Sequence, residues 1–259
     1  MRYRVVEFDT IDSTNSEALR RAASGERGPL WLRADQQTVG RGRSGRPWSS
    51  PTGNLAATLL FEPTCPPDKS HQLSLLTGVA VCDALGAALG NQPDKPKARL
   101  KWPNDILIDD VKVCGILVES SIFADRTVAV IGIGCNLAYS PDVEDRSVTC
   151  LADHVTPAPQ PSEFLEAVSE ELHRWLSAWN CGQDFAAVRE AWLARTYPLG
   201  ARISVRTGTD FIEGIFAGLG EDGALLLEES TGNLRAFHYG DVAVGGDAAK
   251  PDKRGQTKS

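Results

Sequence analysis

The sequence predicts an α+β protein in which a mixed β-sheet with helices is followed by a small β-barrel. Two patterns carry this prediction. Strand-like segments alternate with a few helical segments over residues 1–197, and only short strands broken by Gly and Asp turns follow. Pro198-Leu199-Gly200 separates the two patterns. We therefore expect a first domain over 1–197, a barrel over 198–246 and a disordered polar tail over 247–259.

Each element has a local sequence signature. Asp12 and Ser13 are residue types that cap the first N–H groups of a helix, and the apolar residues of segment 70–89 recur near helical spacing. Pro103 ends one strand, and Asn104-Asp105 form the turn into the next. The predicted helices are 14–24, 70–89, 161–179 and 184–197. The predicted strands of the first domain are 3–8, 30–36, 54–61, 98–102, 106–108, 111–119 and 126–137, giving a mixed sheet of about six or seven strands.

Composition restricts the class of function. The chain has 259 residues, a net charge of −7 and a pI near 5.2, which argues against a general binder of the nucleic-acid backbone. The first residues lack the apolar core of a signal peptide, and the apolar run around 78–90 is interrupted by Asp83 and is too short to span a bilayer. We expect a cytoplasmic protein without a membrane segment. No two of its six cysteines form a C-x-x-C pair, so most are expected to be small core residues.

The segment 37–48, Gln-Thr-Val-Gly-Arg-Gly-Arg-Ser-Gly-Arg-Pro-Trp, is the first candidate site. Its glycines expose backbone N–H groups, and Arg41, Arg43 and Arg46 carry guanidinium groups that suit carboxylate or phosphate oxygens. In an acidic protein, such a loop is expected to bind an anion. A solvated Arg/Gly loop or a nucleic-acid tether would share this composition.

A second candidate site follows at Lys101-Trp102-Pro103-Asn104-Asp105. Strand alternation places Lys101 on the face opposite Trp102, and the following proline holds it rigidly. Joining a carboxylate to a triphosphate brings two anions together, and unit charges about 4 Å apart repel by roughly 4 kcal/mol at an effective dielectric near 20. Fixed cations reverse the sign of that interaction, which is the chemistry these lysine and arginine side chains offer.

Five segments resemble, in order and spacing, the successive motifs of biotin–protein ligases. They are residues 12–15, 37–48, 101–105, 112–119 and 132–136. Later turns, at Asp222-Gly223 and Gly240-Asp241, resemble the family's C-terminal SH3-like barrel. The resemblance spans roughly residues 5–244 and implies a catalytic domain like that of class II aminoacyl-tRNA synthetases and biotin ligases.

The resemblance implies a two-step reaction. Biotin and ATP give biotinyl-5′-AMP and pyrophosphate, and a lysine of a biotin carboxyl carrier domain then attacks the adenylate. Lys101 and Arg43 are the implied catalytic residues, Lys101 bridging the biotin carboxylate and the α-phosphate. The implied biotin-binding residues are Ser13, Thr14, Asn15, Gln37, Arg41, Gly42, Arg43, Lys101 and Gly115. The implied ATP- and adenylate-binding residues are Arg41, Arg43, Arg46, Trp48, Lys101, Lys112 and Asn136.

Further expectations come with the resemblance. Mg²⁺ is expected with ATP, although no protein ligand for it is assigned. The motifs begin at Asp12, so we expect a ligase without an N-terminal DNA-binding domain and without DNA as a partner. A sheet-edge homodimer is left open. Cys114 stands where the family has a small apolar residue and is expected to pack in the core, and Gly245-Gly246 replaces a basic residue that many members present to ATP.

Two alternatives remain. A lipoate or octanoate ligase of related fold would need an apolar slot without partners for a ureido group, whereas Ser13 and Gln37 favour such partners. A non-catalytic nucleotide- or RNA-binding module would use the arginine loop to hold phosphate, and the low pI opposes it.

Overall fold

The computed structural model describes residues 3–66, 69–90, 96–123, 126–142, 147–208 and 210–244. The chain divides into two compact units after Thr196, one residue before the end of the predicted catalytic domain, and we call them the N-terminal and C-terminal units. The predicted tail 247–259 and Gly245-Gly246 lie outside the described residues.

The described part of the N-terminal unit contains seven strands and four α-helices. The strands are β1 (Arg4–Ile11), β2 (Leu30–Gln37), β3 (Leu55–Phe61), β4 (Ala98–Lys101), β5 (Asp105–Ile108), β6 (Val111–Phe123) and β7 (Arg126–Cys135). The helices are α1 (Thr14–Ala23), α2 (Gln72–Leu89), α3 (Pro161–Trp179) and α4 (Phe185–Leu193). The predicted elements are therefore present, with α4 ending earlier and β6 extending further than the sequence indicated.

The strands form one sheet in the order β1-β2-β3-β7-β6-β5-β4. Only β1 and β2 run parallel, joined by α1, while the other neighbours are antiparallel. This arrangement confirms the predicted mixed sheet. It also brings α1, the end of β2, the middle of β7 and the start of β6 to the same part of the sheet, where the sequence motifs meet.

Helix α2 forms the centre of the helical layer. It is long and apolar enough, by length and composition alone, to cross a membrane, although the run around 78–90 had appeared too short. In the N-terminal unit 72% of it is buried, and it packs against α3, α4 and the sheet. Its apolar character on all sides is that of a core helix. Cys114 and Cys135 are also fully buried, as expected for packing residues.

The C-terminal unit is a five-stranded antiparallel sheet. Its strands are β8 (Arg202–Thr207), β9 (Asp210–Leu219), β10 (Leu225–Glu228), β11 (Leu234–Phe237) and β12 (Asp241–Val244), in the order β11-β10-β9-β8-β12. The predicted turns contain Gly223 and Gly232 at φ of 93° and 80°, angles that favour glycine. Antiparallel strands of this kind are consistent with an SH3-like domain. Within the described part of this unit no ladder joins β11 to β12, so the sheet is open rather than a closed barrel.

Candidate active site

Three glycines on adjacent strands form a flat patch of the sheet, which we call the glycine floor. Gly115 of β6 lies opposite Gly134 of β7. Gly132 precedes Gly134 by two residues and therefore lies on the same face of β7. A Cβ atom at Gly134 would lie 2.3 Å from the Trp48 indole, and one at Gly132 would lie 2.2 Å from Asn15 Oδ1. The floor is glycine because Trp48 and Asn15 lie directly on it.

The arginine loop leaves β2 and is folded back on itself. An isolated bridge joins Arg41 and Pro47, and Gly42 N donates to Arg46 O at 2.7 Å. Trp48 N donates to Gly40 O at 2.9 Å, and a Cβ at Gly40 would lie 2.3 Å from Trp48 O. The loop is therefore a tight hairpin-like turn that delivers Trp48 onto the glycine floor.

Helix α1 begins at the edge of the floor. Ser13 caps it, because its Oγ accepts from Ser16 N at 3.4 Å, as the capping interpretation predicts. The start of the helix is fixed further by Asp12, whose carboxylate accepts two hydrogen bonds from Arg20 at 2.8 Å and one from Ser13 N. The bonds from Arg20 are the main reason that the pKa of Asp12 falls to about 2.

Buried polar side chains form one side of the site, which we call the head-group side. Gln37 Oε1 accepts from Thr14 N at 2.9 Å and lies 3.1 Å from Thr14 Oγ1, while Gln37 Nε2 donates to Ser50 Oγ. Thr58 Oγ1 lies 2.7 Å from both Thr14 Oγ1 and Asn15 Oδ1. Thr14, Asn15 and Thr58 are 3%, 4% and 0% exposed. Predicted biotin-binding residues therefore meet here, together with Thr58, which the sequence did not indicate.

Glu119 of β6 closes this network at the arginine loop. Its carboxylate accepts from Asn15 Nδ2 at 2.8 Å, and Arg41 Nη2 lies 3.2 Å from the same oxygen. Arg41 was expected to fold over biotin and the adenylate, and here it forms an ion pair with Glu119 beside the head-group side. Its side chain is 38% exposed.

Charged side chains form the other side of the site, which we call the phosphate side. Lys112 Nζ lies 2.5 Å from Asp105 Oδ1 and 5.4 Å from the centre of the Trp48 ring. A Cβ at Gly115 would lie 3.1 Å from the same ammonium group. Lys101 Nζ approaches the other oxygen of Asp105 at 3.9 Å. The two lysines therefore share one carboxylate, but Lys112 is the one that contacts the floor.

The remaining predicted residues occupy different positions around the phosphate side. Arg43 Nη1 donates to Asn104 Oδ1 at 3.2 Å, and Asn104 is fixed in turn by Ile116. Arg46 is exposed, in the turn that ends the loop. Asn136 is 1% exposed, donates to Thr149 O and accepts from Asn54 Nδ2. Both ends of the Asn136 side chain thus have partners inside the protein, and its contact with ATP stays a prediction.

Three polar residues of the site had no role assigned from the sequence. From the sequence, Asp105 is a turn residue, Glu119 is the last residue of an apolar strand, and Thr58 lies in the strand that follows the arginine loop. Only for Asp105 was there a local signal, because a carboxylate four residues after Lys101 lies across a tight turn from it. No cluster of three His, Cys, Asp or Glu side chains suited to a metal is found in the described ranges.

Comparison with known proteins agrees with this geometry. A model of the biotin/lipoate A/B protein ligase family matches residues 7–136, and a model of the biotin protein ligase C-terminal domain matches residues 199–245. The chain is 43% identical over 243 residues to the biotin–[acetyl-CoA-carboxylase] ligase of Paracoccus denitrificans, covering 91% of this chain and 98% of that protein. The chain belongs to the biotin protein ligase family.

Solved structures of the family have the same fold. The biotin protein ligase of Aquifex aeolicus in complex with biotin and ATP matches with a TM-score of 0.77 and 26% identity, over 93% of this chain and 98% of that one. That of Leishmania major in complex with biotinyl-5-AMP matches with a TM-score of 0.65 and 26% identity, over 92% and 99%. The fold and family expected from the five motifs are thereby confirmed.

Proposed function

We propose that this family member activates biotin with ATP and transfers it to a lysine of a carboxylase carrier domain. In the first step a biotin carboxylate oxygen attacks the α-phosphorus, the bond to the β-phosphate oxygen breaks, and pyrophosphate leaves. In the second step a lysine amine attacks the acyl carbon, AMP leaves, and the amine loses a proton. The observation that supports this best is a neutral polar network and a cationic cluster on adjoining parts of one glycine floor.

The head-group side suits the ureido ring of biotin. Thr14 and Gln37 offer oxygen atoms to ureido N–H groups, with Ser13 and Asn15 beside them at the start of α1. Trp48 and Lys112 lie above Gly115 and would have to move aside for the apolar ring system to approach the sheet there, while Gly42 allows the loop backbone to come close to the ligand. An unpaired ureido group in such a buried place would cost about 1–3 kcal/mol, so matched partners are required.

On the phosphate side we assign the bridging role to Lys112 rather than to Lys101 alone. Lys112 lies against Trp48 and Gly115, where the carboxylate of a biotin on the floor would meet the α-phosphate, whereas Lys101 lies across Asp105. Arg43 and Arg46 would hold the adenylate phosphate, with Trp48 lining the pocket and Asn136 facing the nucleotide. Lys101 would add a second positive charge near the pyrophosphate.

The donor set here also fits Mg²⁺ bound together with ATP. This ion takes one or two carboxylates plus phosphate oxygens and water, and Asp105 presents a carboxylate between the two lysines. When bound, Mg²⁺ would neutralise part of the triphosphate charge. Asp105 would hold it, while Lys112 and Lys101 compensate the remaining negative charge.

Biotin-dependent exchange of radioactive pyrophosphate into ATP tests the first step. We expect exchange with biotin and none with lipoate or octanoate, since these acids lack the ureido group. Exchange driven equally by octanoate would favour the related lipoate or octanoate ligase. No exchange with any acid, despite ATP binding, would favour a non-catalytic nucleotide- or RNA-binding module.

The proposed setting is cytoplasmic, with a biotin carboxyl carrier domain as protein partner. The negative net charge makes sequence-specific DNA binding by residues 1–259 unfavourable, and we propose that DNA is not a partner. A homodimer joined at a sheet edge remains compatible with the edge strand β1, whereas the outer backbone of β4 is already hydrogen-bonded at Leu100 to Arg195 and Thr196. Sedimentation at several protein concentrations would measure that association.

A further inference from the structure

We propose that Glu119 is a positioning residue that determines which hydrogen-bonding group Thr14 presents to the ligand. Hydrogen bonds connect Glu119 to Thr14 through Asn15 and Thr58. This inference rests on the proposed placement of the biotin head group at Thr14 and Gln37. It adds a specificity role for two residues, Glu119 and Thr58, that lie behind the ligand.

The first step is the orientation of Asn15. Its Nδ2 atom lies 2.8 Å from Glu119 Oε2 and 3.4 Å from Leu117 O. An ionised carboxylate and a carbonyl are acceptors only, so the NH₂ group of Asn15 must face them. The carbonyl oxygen of Asn15 therefore points to Thr58, at 2.7 Å. Gly132 makes room for this amide group, because a Cβ there would lie 2.2 Å from Asn15 Oδ1.

The second step is the direction of the two hydroxyl groups. Thr58 has one hydroxyl proton, and it must donate that proton to Asn15 Oδ1, which has none to give. Thr14 can then give its own proton to Thr58 Oγ1 at 2.7 Å or to Gln37 Oε1 at 3.1 Å. We infer that it goes to Thr58, because only the shorter contact lies within the usual range of an O–H···O hydrogen bond. Because Thr58 is fully buried, this order of donors is set without any contact with ligand or water.

The third step concerns the surface that meets the ligand. With its proton committed to Thr58, Thr14 Oγ1 lies 3.1 Å from Gln37 Oε1 with no proton between them. Two acceptor oxygens this close repel, and an N–H group placed between them would remove that cost. The site therefore selects a head group that donates N–H, as a ureido ring does and a hydrocarbon or dithiolane does not.

Three variants test this inference by biotin titration and exchange kinetics. Glu119→Gln can present either an oxygen or an NH₂ group to Asn15, so the orientation of Asn15 is then held only by its 3.4 Å contact with Leu117 O among the contacts described above. Asn15 can turn, and the proton of Thr14 can then move to Gln37. We expect the Kd and KM for biotin to rise about tenfold, with the KM for ATP and the rate at saturating biotin within about twofold. Thr58→Val should raise the biotin KM by about 3- to 10-fold, although Thr58 cannot reach the ligand.

The matched control is Glu62→Gln. Glu62 is another half-buried glutamate, one residue beyond the end of β3, and it pairs with Arg126 rather than with a residue of the site. We expect that variant to keep the wild-type biotin KM. Equal loss of biotin affinity in Glu62→Gln and Glu119→Gln would overturn the inference, because the effect would then be one of general stability. If Glu119→Gln does not fold, the KM for biotin of Thr58→Val alone tests the inference.

Two further results would separate the possible errors. Thr14→Val should weaken biotin binding, and an unchanged affinity there would show that the head group is placed wrongly. If biotin binds more weakly to Thr14→Val but with normal affinity to both Glu119→Gln and Thr58→Val, that result would be consistent with the proposed function and would overturn the positioning role. A biotin KM raised equally in Arg41→Gln and Glu119→Gln, with a normal value in Thr58→Val, would overturn the positioning role, because Glu119 would then act through its ion pair with Arg41.

Discussion

The two sides of the candidate site differ in how they are built. The head-group side is neutral at its centre and almost dry, with Thr14, Asn15 and Thr58 at most 4% exposed. The phosphate side is charged and wetter, with the Lys101 side chain 29% and the Lys112 side chain 17% exposed. A buried neutral network holds a fixed geometry, because each unmet partner is costly there. Partly exposed charges instead tolerate movement while still compensating a triphosphate.

From this difference between the two sides, we expect the substitution with the largest effect on activity to be one on the phosphate side, at Lys112. Lys112→Ala is expected to lower the rate of ATP–pyrophosphate exchange by about 100- to 1000-fold, because a preorganised charge aimed at the transition state is lost. Lys101→Ala should lower it less, and both variants should unfold near the wild-type temperature. Exchange rates at saturating biotin and ATP measure this. If only Lys101→Ala abolishes exchange, the bridging role belongs to Lys101, as the sequence motif had indicated.

Arg43 should affect retention of the intermediate more than its synthesis. Arg43→Gly removes charge-assisted hydrogen bonds, each worth about 1.5–3 kcal/mol, and makes the loop more flexible. We expect biotinyl-adenylate still to form but to leave about ten- to a hundredfold faster. The freed adenylate would label serum albumin mixed with enzyme, ATP and biotin. Unlabelled albumin beside normally modified carrier would show that Arg43 does not hold the phosphate.

The head-group side is expected to be sensitive to shape. Gly132→Ala would place a Cβ 2.2 Å from Asn15 Oδ1, so Asn15 must move and its hydrogen bonds break. We expect the free energy of unfolding to fall by about 1–3 kcal/mol and biotin to bind at least about tenfold more weakly. Gly86→Ala in α2 is the control, since a Cβ there meets nothing within 4 Å and should be neutral or stabilising. Urea unfolding and calorimetric titration of both variants would decide.

The smallest effect is expected at the exposed start of α1, outside both sides. The folded-state pKa of Asp12 is lowered to about 2, mainly by its hydrogen bonds with Arg20, so the stabilisation is present at neutral pH and is lost as the pH falls through about 2. Because the pair is exposed, Asp12→Asn should cost less than about 1 kcal/mol at pH 7. Stability curves of wild type and variant should converge between about pH 4 and pH 2. A difference that persists at pH 2 would contradict the role given to this pair.

Much of the candidate site was predictable, because its motifs are local. The glycines and arginines of the loop, Lys112 and the capping Ser13 can be identified from neighbouring residues, since turns, caps and charge clusters depend on a few adjacent positions. The roles of Lys101 and Lys112 could not be ranked in this way. Which ammonium group lies against Trp48 depends on how β5 pairs with β6, and a bulge between Ile106 and Leu107 shifts that pairing.

The sequence by itself determined the fold class and the order of the helices and strands along the chain, because hydrophobic periodicity and turn residues act locally. Only the tertiary structure decided that Asn15 meets Thr58 and Glu119, which are 43 and 104 residues away. The physical reason is register. A slip of one residue in β3, β6 or β7 would turn Thr58, Glu119 or Gly132 to the opposite face, and the packing of the whole sheet sets that register.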